Sequence, residues 1–275
     1  MVAIVTDSAA NLPDELARQL GIEVVPMYLK FGDRVYSDGR DLTPNDFYER
    51  LVRDAEAAST SSPSPGDFLE AYRRSGEGEI VCVTVASSMS AAHHEATLAA
   101  EEFDGRVIVV DSKSASMAEG FVAAEAARRA RAGEALEEVA RASGDLAERT
   151  TLIAVVNTFE FLRKSGRVSK LQAYAATMLE IKPMFRFHRG EVSPVARPRT
   201  RKRAVDRLVT ESLKEVGDRP VHLAAIHAAA ADDAEEVASR IASQADVIER
   251  ITVAVTPVIG AHTGPGLVGT AFYCD

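Results

Sequence analysis

The sequence is short of the features that mark several large classes of protein. Of its 275 residues two are cysteines, Cys82 inside an apolar run and Cys274 next to the end. They make neither a Cys-x-x-Cys pair nor a disulfide framework, so the chain is read as one suited to a reducing compartment, with no thiol chemistry. Positive charge is in deficit: 32 Lys and Arg stand against 41 Asp and Glu, a formal net charge of -9. Affinity for a nucleic-acid backbone comes from a basic surface, so nucleic acid is not expected as the main partner. Long apolar runs are missing too. The opening MVAIVTDS lacks the basic start and longer apolar core of a signal peptide, and no run approaches the roughly 20 residues of a membrane span. A cytoplasmic protein is expected, without stable membrane insertion.

Catalytic and cofactor signatures are equally sparse. No Gly-x-Ser-x-Gly elbow follows a strand, no Gly-x-Gly-x-x-Gly follows the first strand, and there is no Walker lysine loop. His93 and His94 are adjacent, which prevents both rings from sharing one helical face, and no Glu or Cys cluster completes a zinc site. Neither a nucleotide cofactor nor a metal is expected.

What is present supports a real core, since 46% of the residues are hydrophobic and the length suffices for two ordinary domains. Val2 to Thr6, Ile80 to Val85 and Val107 to Asp111 are β-branched apolar runs that end in polar residues, as buried parallel strands do. Helical spacing separates them at Pro13 to Leu20, Pro44 to Ala58, Pro65 to Ser75, Ser90 to Glu102 and Ser116 to Ala132. A helix from Ala135 to about Arg149 closes this part. The fold class is therefore α/β, with a Rossmann-like parallel-sheet domain over 1–150. Beyond it, Leu152 to Asn157, Phe185 to His188, Glu191 to Arg197 and Val268 to Tyr273 read as strands of a mixed sheet, with a hairpin at Arg189-Gly190. Val221 to Ile226 and Ile251 to Val255 read as buried strands around the helix Asp232 to Gln244. A second α/β domain is placed at 151–275.

Four features carry candidate chemistry. Ser59-Thr60-Ser61-Ser62-Pro63-Ser64-Pro65 reads as a hydroxyl-rich loop feeding a helix at Pro65, where hydroxyls and free backbone N–H groups suit an anion. Thr6-Asp7-Ser8, Ser87-Ser88 and Asp111-Ser112 follow the first three strands and should gather at their carboxyl ends, where open α/β sheets bind ligands. Val258 to Gly269 reads as a tight glycine turn that carries Thr263 and His262, the latter with an imidazole of a kind that titrates near neutrality. Arg197 to Arg203 packs five cations into seven residues at a helix start. Cations there oppose the helix dipole, so the cluster suits an acidic partner or ligand.

Taken in order, these strings resemble the DegV family of bacterial fatty-acid-binding proteins. The resemblance rests on Thr6-Asp7-Ser8 with Asn11-Leu12-Pro13, Tyr36 to Asp41, Thr60 to Pro65, Ser87 to Ser90, Val110-Asp111-Ser112, Phe161 to Arg167, Ile181-Lys182-Pro183, Arg199 to Arg203 and His262 to Gly266. It implies a long-chain fatty acid buried between two α/β domains, with its carboxylate held by Thr60, Ser61, Ser87 and Ser88 and with Arg199 and His262 nearby. It also implies a separate ATP-dependent fatty acid kinase, for which Arg201, Lys202 and Arg203 are the expected docking residues. No further cofactor is expected. Ala91-Ala92-His93-His94 departs from the family's usual string after Ser90, Ser62 stands where Gln is common, and Ser165 where Gly is. The rival from the residues alone is a lipid or ester hydrolase that assembles Ser88, His262 and Asp111.

Overall fold

The computed structural model describes residues 2–53, 58–76, 78–167 and 181–275. Four strands, β1 (Ala3–Asp7), β2 (Ile22–Val25), β6 (Ile80–Thr84) and β7 (Val107–Asp111), form an all-parallel sheet in the order β2-β1-β6-β7. The apolar run of β6 is buried along its whole length, as a central strand covered on both faces requires. α1 (Asp14–Leu20), α3 (Pro65–Arg74), α4 (Ala92–Ala100), α5 (Met117–Arg131) and α6 (Leu136–Ala147) supply the cover. The chain leaves β1 toward β2 on one side and β6 toward β7 on the other, so the strand order reverses between β1 and β6. That places a crevice beside Asp7 and Val85, the position where such sheets take ligands.

Between β2 and β6 the chain makes an excursion that the sequence pattern did not disclose. β3 (Tyr28–Phe31), β4 (Arg34–Ser37) and β5 (Ser59–Ser61) form an antiparallel sheet in the order β4-β3-β5, backed by α2 (Pro44–Arg53). Ser59 to Ser61 is therefore a short strand and not loop. The expected helix beginning at Pro44 is present through Arg53; residues 54–57 of that expectation lie outside the described residues.

The remaining strands form a mixed sheet in the order β10-β9-β8-β13-β11-β12, with β8 (Thr151–Val155), β9 (Met184–His188), β10 (Glu191–Ala196), β11 (Val221–His227), β12 (Val247–Ala254) and β13 (Val268–Cys274). Only β11 and β12 run parallel. The expected hairpin joins His188 to Glu191 through Arg189 (φ 52°) and Gly190 (φ 75°), the paired left-handed conformation of a two-residue turn. β12 corrects the sequence reading: it runs Val247–Ala254 and not Ile251 to Val255, and none of its residues is fully buried, every second side chain from Ile248 to Thr252 being exposed because one face is left to solvent. The period of two also sorts β8. Ile153 and Val155 pack with α8 (Arg201–Val216), whereas Leu152 and Ala154 turn the other way, toward the first sheet.

α7 (Glu160–Ser165), α9 (Ala231–Ala242) and α10 (Pro257–Thr263) complete the fold. α10 replaces the glycine turn expected around His262. Pro257 suits the first helical position, and Gly264, at φ +72°, ends the helix. A side chain at Gly264 would be doubly excluded, because a Cβ there would stand 2.2 Å from the Phe161 ring.

Candidate functional site

A cavity of about 560 Å³ lies where the two large sheets face one another, within the range of roughly 300–1,000 Å³ usual for small-molecule sites. Its apolar wall comes from both sheets: Val85 follows β6, Leu152 and Ala154 lie on β8, Phe185 and Phe187 on β9, and Ile226 on β11. Sequence reasoning assigned none of these. Their signal was the inner-face alternation of β8 and β9, which marks a face without saying what it faces.

Part of the wall is polar. Thr60 lies on β5 and His262 in the last turn of α10, and Thr60 Oγ1 and His262 Nε2 are 2.8 Å apart. Two residues 202 positions apart, each from a separate candidate stretch of the sequence, thus meet. Burial, helped by the charge of Arg167, pushes the imidazole down to about 4, so His262 is neutral at physiological pH. Neutral, it either donates to Thr60 or accepts from it, depending on the tautomer. Arg167 lines the cavity, and its Nη1 donates to the Ser165 carbonyl at 2.6 Å. Ser61 and Ser62 add hydroxyls to the wall, whereas Ser165 Oγ donates to the Leu162 carbonyl at 2.8 Å and Thr263 Oγ1 to the Ile259 carbonyl at 3.0 Å. In the sequence Arg167 only closes the Phe161 to Arg167 string, and nothing there points to a role for it.

Ser87 and Ser88 also line the cavity, yet their hydroxyl hydrogens are directed at protein. Ser87 Oγ donates to Asp111 at 2.6 Å, and Ser88 Oγ donates to the Gly190 carbonyl in the β9–β10 turn at 2.8 Å. As arranged, these serines tie loops together and offer a ligand lone pairs. Arg199 is exposed and does not line the cavity.

The helix start at Pro65 requires a correction. Ser64 and Asp67 form a capping box: the Asp67 N–H donates to Ser64 Oγ at 3.2 Å and the Ser64 N–H to Asp67 Oδ2 at 2.7 Å. A carboxylate of the chain itself therefore occupies the positive end of α3, and the anion site expected there is already filled. The basic cluster is also more divided than expected. Arg201 Nε donates to Asp233 Oδ2 at 2.7 Å and Nη1 to the Gly266 carbonyl at 2.6 Å, so the first turn of α8 borrows an acid from the first turn of α9. Lys202 and Arg203 are exposed.

Behind the cavity wall sits a buried acidic group. Asp7 Oδ2 accepts from the Val85 N–H and Oδ1 from the Ala9 N–H, both at 2.9 Å, which fixes the two strand ends that flank the crevice. Burial pushes Asp7 up to about 7 and Asp38 up to about 6, and it raises Glu119 as well. Among the described residues no group of His, Cys, Asp and Glu could hold a metal ion.

Comparison with known proteins decides the family. The DegV model, whose description reads "Uncharacterised protein, DegV family", matches residues 1–275. The chain belongs to the DegV family. A DegV domain-containing protein of Streptomyces coelicolor is 36% identical over 272 residues, covering 98% of this chain and 96% of its own. Among solved structures, a DegV family protein from Thermus thermophilus described by its fatty acid binding superposes with a TM-score of 0.94 at 31% identity, over 100% of this chain and 99% of that one. DegV of Bacillus subtilis, described as a fatty acid binding protein, superposes at 0.90 with 26% identity, over 100% and 99%. The DegV fold accounts for both sheets.

Within that fold the Ser88, His262 and Asp111 set does not assemble. Ser88 bonds Gly190, His262 bonds Thr60, and Asp111 bonds Ser87 and the Lys113 N–H. A serine nucleophile needs its base within hydrogen-bond reach, and the base an orienting acid.

Proposed function

We propose that this DegV protein binds a long-chain fatty acid in the cavity between its two α/β domains, 1–150 and 151–275, and presents the carboxylate to a separate ATP-dependent fatty acid kinase. The observation that carries the reading is the cavity's composition: an apolar wall drawn from two sheets, into which the hydrogen-bonded Thr60–His262 pair and Arg167, whose charge acts on His262, are set. A tail of about fourteen methylenes at roughly 0.8 kcal/mol each contributes on the order of 11 kcal/mol before ordering costs. The headgroup end then has only to orient the carboxylate, which Thr60, Ser61, His262 and Arg167 do through charge-assisted hydrogen bonds. Ser87 and Ser88 hold the loop that borders it. The kinase brings the nucleotide, in keeping with a chain that has no phosphate-binding loop.

Arg199, Lys202 and Arg203, all exposed, form the surface offered to an acidic patch on the kinase, whereas Arg201 braces the helix that displays them. Such rim charges act mainly on association rate and salt sensitivity. The test is a titration of delipidated protein with a long-chain fatty acid, run beside an assay for ester turnover. Saturable one-to-one binding without turnover is expected; turnover of an ester with no binding of the free acid overturns the reading.

A further inference from the structure

The Tyr36 to Asp41 string is not explained by the cavity, because none of its residues lines it. Asp38 is the informative member. It follows β4, is 3% exposed, and spends both carboxylate oxygens on distant partners: Oδ2 accepts from Ser8 Oγ at 2.7 Å, and Oδ1 accepts from the Val258 N–H at 3.1 Å. Ser8 is itself held, since its Oγ accepts from the Met27 N–H at 3.1 Å.

Val258 lies in the first turn of α10, where backbone N–H groups have no partner within the helix. Thr256, the residue in the capping position, makes no side-chain cap. Asp38 therefore caps α10 across 220 positions of sequence. Four residues later comes His262, on the same helical face and about 6 Å along the axis. Its partner Thr60 lies on β5, opposite Leu29 of β3, and Asp38 follows Ser37 of β4, opposite Tyr28 of β3. One small sheet thus grips one helical turn at both ends. Between the two grips Gly260 packs against α2 so closely that a Cβ there would stand 2.4 Å from Tyr48 Oη and 2.8 Å from Phe47 Cε1. The helix meets α2 at a distance that only glycine allows.

We infer that Asp38 is a positioning residue for the headgroup end: by capping α10 it sets where the His262 imidazole stands against Thr60, without touching the bound molecule. The value of that placement for fatty-acid binding rests on the function proposed above; the clamp itself does not.

The test reads His262 directly on delipidated protein, by ¹⁵N–¹H correlation of histidine side chains through a pH titration, with His262→Gln to assign the signal. In Asp38→Ala the cap is lost, and the imidazole should titrate between about 4 and its ordinary 6.5 instead of at about 4. Asp38→Asn keeps an acceptor for the Val258 N–H and should titrate like the unmodified protein. Phe103→Ala, which removes a ring packed on Tyr72 away from α10, should lower the melting temperature and leave His262 unmoved. If Asp38→Ala fails to fold, Ser8→Ala removes the group that steadies Asp38 and should shift His262 in the same direction. An unmoved His262 in Asp38→Ala, or in Ser8→Ala where that variant stands in, overturns the inference, as does Asp38→Asn behaving like Asp38→Ala. Failure of the unmodified protein to bind fatty acid would sink the proposed function and leave this readout intact.

Discussion

His262 offers a quantitative test of the site's electrostatics. Unfolded, the imidazole takes up a proton near its ordinary 6.5; folded, burial and the Arg167 charge delay protonation to about 4. A histidine held neutral in this way contributes stability that is complete above about 6.5 and is lost as pH falls through that window. The gap between 6.5 and about 4 corresponds to roughly 3 kcal/mol. Urea unfolding of the unmodified protein and of His262→Gln, each from about pH 7 to about pH 4, isolates it. The stability difference between the two should move against the unmodified protein by roughly 3 kcal/mol over that range. Taking the difference matters, because the buried carboxylates have the opposite sign and are common to both proteins. A difference that stays constant with pH would refute the claim that His262 is held neutral by its surroundings.

Asp7, raised to about 7, gives the opposite slope: the folded state keeps a proton that the unfolded chain releases near 3.8, so stability declines as pH rises from about 4 to about 7. Asp7→Asn should flatten that decline in a pH series of urea midpoints, and parallel curves would refute it. Gly260→Ala forces a methyl against Tyr48 and Phe47 and should cost about 1–3 kcal/mol in thermal unfolding; an unchanged melting temperature would mean that α10 is free to move. Arg201→Ala should lower stability by about 1 kcal/mol through loss of its half-buried pair with Asp233, whereas Lys202→Glu should leave stability unchanged and weaken kinase association in a salt-dependent way. Equal effects of the two on stability would contradict the division of the basic cluster.

Much of the fold was legible because its signals are local. The β-branched runs of β1, β6 and β7 and the prolines that open α2 and α3 announce themselves within a few residues. The small sheet was not legible. β3, β4 and β5 are three or four residues long, too short for alternation to register, and β5 is built of Ser-Thr-Ser, which reads as loop. α10 was hidden by its glycines, since Gly260 is dictated by packing against Tyr48 and not by a turn. In the cavity wall, Thr60 and His262 could be named from the sequence because hydroxyl and imidazole carry their chemistry in any context. What could not be read was expenditure: that Ser87, Ser88, Asp67 and Arg201 are already committed to Asp111, Gly190, Ser64 and Asp233 is a property of tertiary neighbours. Asp38 escaped for the same reason, its partner being 220 positions away.

Native mass spectrometry of the protein purified without added lipid would show whether the cavity carries a fatty acid. One adduct per chain is expected, of long-chain fatty-acid mass, retained under native conditions and lost on denaturation. A protein consistently free of ligand, which also fails to take up added long-chain fatty acid, would contradict the proposed function.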